Sequence, residues 1–68
     1  MTVASQVKQT LASLKNAQAT LQLYAIQSQD PGAQSVFDEA SRITGEIRLE
    51  VAERLKTLEF EEPQYKGL

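Results

Sequence analysis

The feature that most constrains this chain is the run Gln29-Asp30-Pro31-Gly32, the one strong break in an otherwise helix-patterned sequence. Proline has no amide proton and disfavours the α conformation in the residue before it, so a first helix must stop by about Gln29. Asp30 is suited to cap a new helix, with Pro31 at its first position, where a missing N–H costs nothing. A connection this short makes the flanking helices antiparallel neighbours. The expected fold is therefore all-α, an antiparallel two-helix hairpin in a single domain over residues 1–68. Its parts are a helix over 3–28, a turn over 29–32, a helix over 33–60 and a tail over 61–68.

Helical spacing supports both halves. Thr2 is the expected cap of the first helix, and Val3, Val7, Leu11, Leu14, Leu21 and Ala25 follow on one stripe, with Tyr24 at its edge and Gln18 as its polar member. In the second half the apolar positions are Val36, Phe37, Ala40, Ile43, Ile47, Val51, Leu55 and Leu58. Val36, Ile47 and Leu58 stand eleven apart, as do Val3, Leu14 and Ala25, a period that predicts nearly straight or slightly right-handed packing. Asp38, Arg42 and Glu46, and then Glu50 and Arg54, stand four apart and predict exposed ion pairs along the second helix.

A chain of 68 residues with 41% hydrophobic and 24% charged residues suits a small folded domain, not a disordered segment. A core of this size is marginal by itself, and small domains usually add disulfides, a metal or further subunits. With no cysteine and no histidine, a disulfide is excluded and a structural zinc is not expected. Self-association remains, and the expectation is a homodimer of hairpins forming a four-helix bundle. No basic-then-apolar leader is visible over residues 1–9, so the expected location is the cytoplasm, and no stretch is apolar enough for a membrane span.

Two patches outside the expected core are candidate interfaces. One is the row Ala12, Ala19, Leu23 and Ile26 on the first helix. The other is Gly45, Leu49 and Ala52 with Ser41 on the second, placed by the apolar stripe on the side away from the core, where a mid-helix glycine would admit another helix. Scattered surface apolar residues and a tolerated glycine are the bland alternatives. Pro63, Gln64, Tyr65, Lys66 and Gly67 form a candidate recognition tail, against the alternative of simple fraying.

The function classes narrow by what is missing. Histidine and cysteine are absent, no Gly-rich phosphate loop is present, and two helices offer little concavity, so no enzyme is expected and no catalytic, metal or cofactor residue is assigned. Residues 1–29 carry only Lys8 and Lys15, and residues 30–68 carry nine acids against five bases, so no basic stripe for nucleic acid exists. The acidic end of the second helix is expected beside Lys8 once the hairpin closes.

The opening Met1-Thr2-Val3-Ala4-Ser5-Gln6-Val7-Lys8-Gln9-Thr10-Leu11, the segment Ala17-Gln18-Ala19-Thr20-Leu21 and the closing Glu61-Glu62-Pro63-Gln64-Tyr65-Lys66-Gly67 resemble the domain of unknown function 1657 family. Its members are small proteins of endospore-forming Firmicutes. They tend to be encoded near spore proteins, including those of the dipicolinate channel, and a related domain is attached to an inner-membrane protein. The resemblance implies a sporulation-linked role in spore resistance or germination, in the forespore or spore core, and no activity, ligand or catalytic residue. Two readings follow: a self-associating structural or adaptor module, or a soluble accessory that docks on a spore inner-membrane protein.

Overall fold

The computed structural model describes residues 3–61, and the side chains of residues 3–60. Two α-helices, α1 (Val3–Gln27) and α2 (Pro31–Glu61), pack side by side as a hairpin, and no strand occurs among the described residues. The rod measures 49 × 17 × 12 Å. The expected cap at Thr2 and the tail from Pro63 to Gly67 lie outside the described residues.

The turn is built by two side chains working in opposite directions. Asp30 Oδ2 accepts from the Ala33 amide at 2.9 Å, and the Asp30 carbonyl accepts from the Gln34 amide at 2.9 Å. Asp30 is thus the N-cap of α2 and Pro31 its first residue, as capping chemistry predicts, two residues ahead of the start at 33 drawn from the helical pattern. Gln34 then reaches back: its Nε2 donates to the Ser28 carbonyl at 2.6 Å, satisfying an acceptor that the end of α1 leaves unpaired. Behind the turn, the Tyr24 and Phe37 rings meet at 5.4 Å between centroids, tilted by 59°. That edge-on geometry suits the aromatic quadrupoles and pins the helices where the chain reverses.

The inward face follows a seven-residue spacing, not the expected eleven. On α1 and its exit, Ala4, Leu11, Gln18 and Ala25, with Val7, Leu14, Leu21 and Ser28, are all buried or half-buried. On α2 the same holds for Gln34, Ser41, Arg48 and Leu55, and for Phe37, Thr44, Val51 and Leu58. This is the spacing of a left-handed helix pair, 3.5 residues per turn. Val36, Ile43 and Ile47, which the apolar pattern placed in the core, stay outside with 65%, 43% and 43% of their surfaces exposed.

The most buried positions of the seam are mostly small. Among the described residues Ala4, Ala25, Ser41 and Leu55 are its buried members, with Ala4 fully enclosed. Gly45 lies against Gln18, so the expectation that it points away from the core is corrected, and Ser41 and Ala52 turn inward with it. Polar groups in the seam are satisfied locally: Thr44 Oγ1 donates to the Ala40 carbonyl at 2.8 Å, and among the described residues no buried side-chain nitrogen or oxygen is unpaired.

Candidate interaction surfaces

The two long flanks of the hairpin differ in chemistry. Lys8 and Glu59 mark one flank, their charged atoms 3.6 Å apart across the helices, as expected for the basic start of α1 beside the acidic end of α2. Gln18 and Gly45 meet on the same flank, and Ala52 stands midway between Gly45 and Glu59 at seven-residue intervals.

The opposite flank is apolar over most of its length. At the terminal end of the rod, Val3, Gln6, Val7 and Thr10 of α1 line a groove with Val51 and Arg54 of α2. The groove continues past Val7 and Arg54 to Thr57 and Leu58. Seven-residue steps carry this flank along α1 from Val3 through Thr10 and Ala17 to Tyr24. On α2 it runs from Arg54 through Val51, Ile47, Ile43 and Ala40 to Val36, three or four residues at a time. A shallow depression lined by Ser35, Val36, Glu39, Ala40 and Ile43 ends it near the turn. Val3 and Tyr24 are half exposed here, beside the exposed Val36, Ile43 and Ile47.

The two expected interface patches do not coincide with this flank. Ala12, Ala19 and Ile26 each follow Thr10, Ala17 and Tyr24 by two residues, about 200° around the helix, and so face the other way. They are exposed with Leu23, and Ile26 is the barest of them at 79%. The second patch is divided: Gly45 and Ala52 contribute to the seam, whereas Leu49 projects outward, 63% exposed. The flank bearing Ile43 and Ile47 was missed because both residues were counted as core. The seven-residue spacing of Ala4, Leu11, Gln18 and Ala25 was the signal that could have exposed it.

Electrostatics around these surfaces are those of a solvated helix. Arg42 is the hub of α2: it grips Glu39 with two nitrogens and donates through Nη1 to Glu46 Oε1 at 2.7 Å. Its hydrogen bonds and charge hold the exposed Glu39 carboxyl below the usual carboxylate range, and Glu39 in turn raises the guanidinium. The expected Asp38–Arg42 and Glu50–Arg54 pairs do not form; Arg42 selects Glu39, one turn back, and Arg54 leans into the groove. Among the described residues no cluster of three or more His, Cys, Asp or Glu is placed to hold a metal ion, and no helix is long and apolar enough to cross a membrane.

A family model described as "Protein of unknown function (DUF1657)" matches residues 7–55, most of α1, the whole turn and most of α2. The chain belongs to the domain of unknown function 1657 family. The match takes in the Ala17–Leu21 segment and leaves out the closing Glu61–Gly67 segment. In this chain the matched stretch holds the Asp30 cap, the Tyr24–Phe37 clamp and the Gln18–Gly45 contact. Searches of the curated proteins and of the solved structures returned no match.

Proposed function

We propose that this protein is a non-enzymatic helical interaction module that works as a homodimer, two hairpins forming a four-helix bundle with a structural or adaptor role. The observation that carries this reading is the mismatch between core and surface. Among the described residues the hairpin has only Ala4, Ala25 and Leu55 as buried apolar residues, while Val3, Tyr24, Val36, Ile43 and Ile47 stand exposed along one flank. Burying roughly 25 cal/mol per Å2 of apolar surface against a second copy would supply what a two-helix core lacks. A sporulation-linked setting, in the cytoplasm of the forespore or in the spore core, is the context implied by the resemblance described above. The exposed Ile26 and Leu23 favour a second reading, docking of the same module on a spore inner-membrane protein.

Sedimentation equilibrium of the full chain at micromolar concentration, with helicity followed in parallel, tests the first reading. A helical dimer is expected. A stably folded monomer overturns it.

A further inference from the structure

The apolar flank differs at its two ends, and this difference orients a second copy. The terminal end is concave, a groove of about 320 Å3 between Val3, Val7, Thr10, Val51 and Arg54. The turn end carries Tyr24 and Val36, 47% and 65% exposed, beside the shallow depression lined by Ser35, Glu39, Ala40 and Ile43. Arg54 lies at the terminal end and Glu39 at the turn end. A parallel arrangement keeps these charges at opposite ends, whereas an antiparallel one brings each Arg54 level with a Glu39 and sets Tyr24 over the terminal groove.

We propose that two copies pair through this flank with their rods antiparallel, about a two-fold axis crossing near Ala17 and Ile47, each copy seating Tyr24 and Val36 in the groove of the other. This inference rests on the self-association reading and adds a face and an orientation to it. Three observations support a second copy as the occupant. First, the flank runs about 32 Å, from Val3 to Tyr24 at about 1.5 Å per residue, on a rod 17 Å wide, a footprint of the order of the roughly 800 Å2 per partner of a stable interface. Second, reversal places exposed apolar side chains over the terminal groove. With α1 over α1 and α2 over α2, each reversed, Tyr24 comes level with Val7 and Thr10 of the second copy, and Val36 with Arg54 and Thr57. Third, charge agrees. Arg54 has no ion pair among the described residues, and α2 residue 46 lies midway between Arg54 and Glu39 to within one residue. Reversal therefore brings each guanidinium level with Glu39 of the second copy and beside its Tyr24 ring, where a cation is favoured. The other flank carries Lys8, Lys15, Asp38, Arg48 and Glu59, against Arg54, Glu39 and Glu50 on this one, and so has more charge to desolvate.

The chain has no cysteine, so single introduced cysteines report the geometry directly in the full-length protein. Under mild oxidation Ile47→Cys should cross-link to itself, and a mixture of Tyr24→Cys and Thr10→Cys should give the mixed dimer. Cross-linking of Tyr24→Cys with Val36→Cys chains, as parallel rods require, overturns the orientation. Ile47→Asp should weaken the dimer at least tenfold, and Ile26→Asp should leave it unchanged. The reverse pattern overturns the face while leaving self-association standing, whereas a folded wild-type monomer overturns both. The cross-links decide the matter even if Ile47→Asp does not fold.

Discussion

The side-chain amide of Gln18 occupies the space that a β-carbon on Gly45 would need: Nε2 lies 2.6 Å from that position. The two residues define how closely α1 approaches α2 at the middle of the rod. Glycine costs a helix interior about 1 kcal/mol relative to alanine, and at Gly45 the Gln18 contact from the neighbouring helix stands against that cost. The obstructing atom is the far end of a flexible side chain, which makes the cost of a single methyl small. Gly45→Ala is expected to be neutral to stabilising by less than about 1 kcal/mol. Gly45→Leu has no such escape and should destabilise by about 1–3 kcal/mol through overpacking. Denaturant unfolding at fixed protein concentration separates the two; equal effects would show that Gln18 does not set the approach.

The turn should be sensitive to both of its capping side chains. Asp30→Ala removes the acceptor for the Ala33 amide and should cost about 1 kcal/mol, or a fall of roughly 4–8 °C in the melting midpoint. Gln34→Ala strands the Ser28 carbonyl and should cost about 0.5–1.5 kcal/mol. Thermal melts of both variants, with Asp30→Asn as a control that keeps a capping oxygen, check this. A control as unstable as Asp30→Ala would argue that charge, not capping geometry, matters at this position.

At the far end, Lys8 and Glu59 attract each other across the helices, but each sits at the helix end its macrodipole disfavours. The attraction is partly screened, since both side chains retain solvent contact. A double-mutant cycle to alanine should give a coupling of about 0.2–1 kcal/mol that shrinks in high salt. Exchanging the charges, Lys8→Glu with Glu59→Lys, keeps the pair and improves the dipole match. The exchanged protein should equal or exceed the parent by up to about 1 kcal/mol at low ionic strength. A clear loss of stability on exchange would show that packing of the Lys8 stem outweighs its charge.

Acid should loosen α2 through Glu39. Its carboxyl is lowered in the folded chain by hydrogen bonds and charge from Arg42. A depressed folded value means a contribution that is complete above the ordinary carboxylate range and lost as pH falls through the lowered folded value. Helicity followed from about pH 6 to about pH 2 should therefore decline more steeply in the parent than in Arg42→Ala. Parallel curves would indicate that the exposed ion pair is too well solvated to matter.

Much of the architecture is local chemistry and could be read without coordinates. Asp30 and Pro31 end one helix and begin the next because capping and a missing amide act within a few residues. The pairing of Lys8 with Glu59 followed from the antiparallel geometry that the turn imposes. Arg42 was legible only in part: its reach to Glu46 was expected, but its choice of Glu39 over Asp38 depends on side-chain rotation about the helix.

What the sequence alone determined, then, was two helices, their antiparallel order and the chemistry of their junction. The tertiary structure decided which stripe of each helix turns inward. Periods of 3.5 and 3.67 residues per turn diverge by only about 20° per heptad, so the apolar pattern admitted both choices. Packing resolved them in favour of small residues. Ala4, Ala25, Ser41 and the Gln18–Gly45 contact let the backbones approach closely, and Val36, Ile43 and Ile47 were left on the flank. Two helices present too little facing surface to enclose every large apolar side chain, and the excess became an exposed apolar flank.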